Sequence, residues 1–169
     1  DARTRRLNRV AVDKLPYELA FKRVKGDGSR KLVLFSDADC PFCHRLENEI
    51  KGLDNVTIYT FLFPIDQLHP DAARKSKQIW CAPDKVKAWD EFFASGKVPD
   101  NKGDCGDPVA KTQALGNSLK INATPTTANP CRQQAFIPAV VATGDGSTAI
   151  VTYYDFRNDT NTTGSLGFE

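Results

Sequence analysis

Two cysteines spaced as Cys40-Pro41-Phe42-Cys43 stand between an apolar run and an amphipathic one. Leu32 to Phe35 reads as a short buried strand. Ser36, Asp37 and Asp39 then mark a turn and offer N-cap oxygens. Leu46 and Ile50 follow at helical spacing with charged residues between them. The pattern predicts strand, turn and helix, with Cys40 at or just before the first helical turn. Cys43 falls about one turn later on the same side. Pro41 suits that opening, because its missing N–H would be unpaired there anyway.

The placement has chemical consequences. The first amides of a helix have no intrahelical partner, and the helix dipole favours negative charge beside them. A thiol held there ionises more readily, and the thiolate is the nucleophile in disulfide exchange. A strand, a CxxC and a helix in that order form a redox motif of the thioredoxin type. The other reading of CxxC is half a zinc site, which calls for a second CxxC or a His pair. Cys81, Cys105 and Cys131 are widely spaced and His69 is the other histidine besides His44, so no metal site or cofactor is read. Phe42 reads as an exposed apolar contact for unfolded substrate. His44 and Arg45, near the helix start, either favour the thiolate or are simply exposed. Asp37 and Asp39 read as turn and cap residues rather than proton acceptors.

The 169 residues allow one domain with a real core. The net charge of +2, with acids and bases interspersed, gives no footprint for a nucleic-acid partner. No apolar run approaches membrane-spanning length. Five cysteines are too few for a disulfide-built miniprotein, and suit an export-compartment enzyme with one active and one structural pair.

Residues 1–14, rich in arginine, read as a linker-like segment. Tyr17, Leu19 and Phe21, after Pro16, read as an edge strand, with the strand at 31–35 as its hairpin partner or near neighbour. Val56 to Phe63 is β-branched and aromatic, so a parallel β–α–β unit is expected across the CxxC helix. Residues from about 66 to 120 read as mostly helical, with helices at Ala72–Trp80, Pro83–Phe93 and Val109–Leu119. Cys81 and Cys105 flank the second of these. A bridge between them would stabilise the block by ~3 kcal/mol, and two free core thiols are the alternative. Ala139 to Phe156 carries two β-rich runs around Gly144-Asp145-Gly146 and reads as a hairpin, followed by a loose tail at 158–169.

Several stretches together resemble one family. They are Phe35-Ser-Asp-Ala-Asp-Cys40-Pro-Phe-Cys43-His-Arg-Leu, Ile79-Trp-Cys81-Ala-Pro-Asp-Lys-Val-Lys-Ala-Trp89, Ala114-Leu-Gly116 and Thr124-Pro125-Thr126. Over roughly residues 15–126 they resemble the catalytic domain of the DsbC/DsbG family, bacterial periplasmic thiol:disulfide isomerases. The resemblance implies an α/β thioredoxin-like fold over 15–157, a mixed sheet flanked by helices, with a helical insertion at about 66–120. It implies Cys40 as exposed nucleophile, Cys43 as resolving thiol, and Cys81–Cys105 as a structural disulfide. It implies a cis-proline dipeptide facing the sulfurs at Thr124–Pro125, with Ile137–Pro138 as the alternative because the chain after Pro125 departs from the family pattern. It implies misfolded exported proteins as substrates, a membrane-bound thiol reductant of the DsbD type as partner, and a homodimer formed through an N-terminal module. A dithiol oxidase, or a peptide-binding chaperone on the same fold, is the rival reading. Cys131 is assigned no role.

Overall fold

The computed structural model describes residues 14–119 and 121 in full, and the backbone of strands at 9–10, 135–142 and 149–155. Six strands form one sheet: β1 (Arg9–Val10), β2 (Ala20–Lys25), β3 (Arg30–Ser36), β4 (Val56–Leu62), β5 (Ala135–Ala142) and β6 (Ala149–Asp155), in the order β1-β6-β5-β3-β4-β2. Four helices accompany them among the described residues: α1 (Pro41–Ile50), α2 (Ala72–Trp80), α3 (Lys85–Ser95) and α4 (Val109–Ser118).

β3 and β4 run parallel, Arg30↔Val56 through Ser36↔Leu62, with α1 crossing between them. β3 is shielded on both faces, which is why it reads as an unbroken apolar run. Leu32 and Leu34 meet Leu46 and Ile50 of α1 on one face. Val33 and Phe35 pack with Leu15, Phe61, Phe63 and Ile121 on the other, where Phe35 stacks on Phe61 at 4.8 Å. Leu115 of α4 closes that face, and a side chain at Gly116 would collide with the Phe63 ring.

The sequence reading of β2 changes in two ways. Tyr17–Leu19 is a 3-10 turn, and the strand starts at Ala20. β2 lies at the sheet edge but pairs antiparallel with β4, from Ala20↔Phe61 to Lys25↔Val56, so it is not the hairpin partner of β3. The tight turn at Gly26–Asp27 leads from β2 past β4 to β3, two places further in. Arg9–Val10, inside the stretch read as linker, pairs with β6.

In the 66–120 region, α2 has the bounds read from sequence and α3 ends on Gly96 at φ 74, a left-handed cap that suits glycine. Asp84 caps α3 by accepting the Lys87 N–H at 2.9 Å. Ile79, Ala88, Trp89, Phe92 and Val109 form a cluster that joins Phe21 of β2 and Leu62 of β4. The hairpin β5–β6 is present, though β5 begins at Ala135, and its register shifts between Phe136 and Ala139, where Ile137 and Pro138 sit. A bulge is where a proline, lacking its N–H, is tolerated in a strand. Among the described residues no helix is long and apolar enough to cross a membrane.

Candidate redox site

Cys40 is the N-cap of α1, with Pro41 as the first helical residue. Two main-chain bonds fix it. Its N–H donates to Asp37 O at 3.3 Å, and its carbonyl accepts from His44 N–H at 3.2 Å. Cys43, one turn on, receives the Asp37 N–H on its sulfur at 3.4 Å. Both thiols are free, and half-buried Phe42, Leu46 and Phe93 pack against them. Cys40 is 1% exposed. That corrects the expectation of an exposed nucleophile: the turn tucks the sulfur under neighbouring apolar groups instead of presenting it to water. Phe42 is likewise half-buried against the cysteines rather than fully exposed.

The two thiols are driven apart in acidity. A hydrogen bond from the Cys43 thiol, aided by the main-chain N–H groups of Cys43 and Phe42, brings Cys40 from 9.0 down to about 7, against the opposing effects of burial and the Asp37 charge. Burial, and the hydrogen bond and charge it shares with Cys40, push Cys43 well up. One sulfur is therefore ready as thiolate near neutral pH while the other keeps its proton. Such a pair can attack a disulfide through Cys40 and release the product through Cys43.

Further side chains build the site, and Glu47, Arg23, Lys25 and the part played by His69 carry no mark in the sequence. Asp37 is more than a turn residue: its side chain is 0% exposed. Its Oδ1 accepts from Asp39 N–H, and its Oδ2 accepts from Ile65 N–H and meets His69 Nδ1 at 2.9 Å. Glu47 of α1, four residues past Cys43, is 4% exposed and takes both Nη groups of Arg23, at 2.7 and 2.9 Å. Its Oε1 also accepts the Trp89 indole N–H at 3.0 Å, which ties α3 to the redox helix. Lys25, two residues past Arg23, donates to the carbonyls of Ile50 and Lys51, a cation set where the α1 dipole is negative. His44 stacks on Phe93 at 4.2 Å, with Nε2 at 3.2 Å from Ala38 O, and so faces α3.

Cys81 and Cys105 form a disulfide whose Cys105 end is exposed, and Gln78 and Asn101 exchange two side-chain bonds beside it. The bridge closes a segment of 24 residues around α3. Replacing both cysteines by serine is expected to lower stability by about 3 kcal/mol, read as a lower urea midpoint, with the free-thiol count of the native chain falling by none. Thr124, Pro125 and Cys131 lie outside the described residues. Pro138 and Ile137 lie one and two residues beyond the last β3–β5 pair, Leu34↔Ala139, at the end of β3 from which the redox turn leaves. No peptide bond among the described residues is cis, and no group of three or more His, Cys, Asp or Glu side chains among them could hold a metal ion.

A dithiol at the head of a helix, on a parallel β–α–β unit, defines a disulfide-exchange protein. The family model for the thioredoxin-like domain matches residues 17–129. A probable thiol:disulfide interchange protein DsbC of Bordetella parapertussis is 42% identical over 123 residues, 73% of this chain and 43% of that protein. The thiol:disulfide interchange protein DsbC of Escherichia coli is 33% identical over 96 residues, 56% of this chain and 40% of that one. A crystal structure of a disulfide interchange protein from Neisseria gonorrhoeae shares 47% identity, with a TM-score of 0.62 over 66% of this chain and 80% of that chain. The chain belongs to the thioredoxin-like domain family and, within it, to the thiol:disulfide interchange proteins of the DsbC kind. It spans 43% of the length of the Bordetella relative.

Proposed function

We propose that the chain carries the exchange chemistry of a disulfide isomerase acting on exported proteins in the periplasm. The observation that carries the reading is the Cys40–Cys43 pair, one thiol brought to about 7 and its partner held protonated. The Cys40 thiolate attacks a wrong disulfide, forms a mixed disulfide and releases a substrate thiolate. That thiolate can attack a second substrate disulfide, and a substrate thiolate then displaces Cys40, which leaves every electron where it began. Alternatively Cys43 loses its proton and attacks the Cys40 sulfur. The substrate leaves reduced by two electrons, Cys40 and Cys43 are left oxidised, and an external dithiol of the DsbD type restores them.

The acidity of Cys40 favours this over a dithiol oxidase. A strongly oxidising CxxC thiol lies at about 3.5, because a very stable thiolate favours the reduced form, whereas a thiol at about 7 accompanies a far more reducing pair. Phe42 and the dipeptide Thr124–Pro125, which lies within the family match, are proposed to contact substrate. Ile137–Pro138 is the alternative wall, supported by its place at the end of β3. Homodimerisation is proposed to need an N-terminal module of the family.

The test is twofold. The reduction potential should be clearly more negative than about −120 mV, the range of a strong oxidant. Refolding of a scrambled substrate should speed up when the chain is joined to the N-terminal module of a relative. A potential at the oxidant end, with fast oxidation of reduced substrate, would sink the isomerase reading.

A further inference from the structure

Asp37 touches the redox pair on both sides through its main chain. Its carbonyl receives the Cys40 N–H and its own N–H points at the Cys43 sulfur. Its carboxylate, out of water, ties the same turn to the segment after β4 through Ile65 N–H and the His69 ring. His69 is 19% exposed, so this ring bridges solvent and a buried charge beside the dithiol.

We propose that His69 is a positioning residue for the dithiol: paired with Asp37, it offsets the buried carboxylate and so sets how much Cys40 thiolate exists at a given pH. The inference rests on Cys40 being the nucleophile. An uncompensated carboxylate opposes a second negative charge nearby. The His69 ring, 2.9 Å from Asp37 Oδ2, answers that carboxylate; without the ring, ionisation of Cys40 meets the carboxylate unanswered.

The other charged groups on the surrounding elements already have partners. Asp39, on the same turn, is held by Lys75 of α2 at 2.6 Å. Asp71, at the start of α2, is held by Arg74 at 2.6 Å and lies 3.4 Å from Lys75. Asp66, in the segment after β4, accepts from Gln113 of α4 at 3.1 Å. Phe63, Pro64 and Ile65, between β4 and that segment, carry no charge. Asp37 is thus the carboxylate that His69 answers directly.

The test follows the ultraviolet absorbance of the thiolate against pH in the reduced full chain, in a Cys131→Ser background. His69→Gln should move the thiolate curve up by about half a pH unit, a roughly threefold lower thiolate fraction at about pH 6. His69→Lys should restore the low-pH thiolate. A second pair of proteins guards against a mere folding effect: with Asp37→Asn in place, His69→Gln should change the thiolate fraction less than about 1.5-fold, because the charge it answered is gone. Native curves from both His69 variants would overturn the proposal, and so would equal losses from His69→Gln and His69→Lys. A native chain with no thiolate near neutral pH would instead overturn the reading of Cys40 itself.

Discussion

A Cys40→Ser chain is expected to lose reduction of insulin and rescue of scrambled substrates to the level of the uncatalysed reaction. A serine hydroxyl does not ionise near neutral pH, so no nucleophile remains at the head of α1. Cys43 cannot substitute for it, since burial keeps that thiol protonated. Cys43→Ala should behave differently. Cys40 would still attack, and the product would accumulate as a mixed disulfide that gel electrophoresis without reductant resolves. Its thiolate would also appear at higher pH than about 7, because the lost Cys43 hydrogen bond is the largest cause of the lowering. The same lowering links pH to stability. A thiol depressed on folding stabilises the reduced fold fully above its unfolded value, and that contribution fades as pH falls through about 7. Residual turnover by Cys40→Ser would refute the assignment of the nucleophile.

Glu47→Ala is expected to destabilise the chain by about 3–5 kcal/mol, measured by urea unfolding. The carboxylate faces an Arg23 side chain that is 9% exposed and takes two of its N–H groups as well as the Trp89 indole. Removing it leaves the indole N–H unpaired, and leaves Arg23, out of water, with only Thr60 Oγ1 at 3.3 Å and the exposed Asp90 carboxylate at 3.5 Å. The double change Arg23→Met with Glu47→Leu should recover much of the loss, because it removes both charges rather than one. A loss below about 1 kcal/mol for the single change would mean that water reaches Arg23 and that the pair is only a surface contact. Trp89 links the effect to the insertion, so the single variant should also loosen α3 against the redox helix.

Much of this was legible in the chain. The apolar run at 32–35 and the β-branched run at 56–63 marked the parallel pair, and Asp71, Gly96 and Pro108 fall at helix ends, Gly96 as a left-handed cap. The charged contacts were not legible, for a physical reason. Glu47 and Arg23 each sit among polar neighbours, and a charged residue in such a pattern reads as solvent-facing. In β2 the side chains of Phe21, Arg23 and Lys25 share one face, so the apolar alternation simply continues as cations toward α1. Asp37 and His69 lie 32 residues apart, and no local pattern announces their meeting. The family resemblance implied an exposed Cys40, whereas tertiary packing of Phe42 and Phe93 covers its sulfur.

The anchorage of α1 lies past its thiols. Arg23 grips Glu47 one turn beyond Cys43, and Lys25 takes the final carbonyls of the helix. The helix is moored by its stern, a full turn or more beyond the thiols. The far end of α1 is therefore held in place by β2, whatever sulfur chemistry goes on at its head.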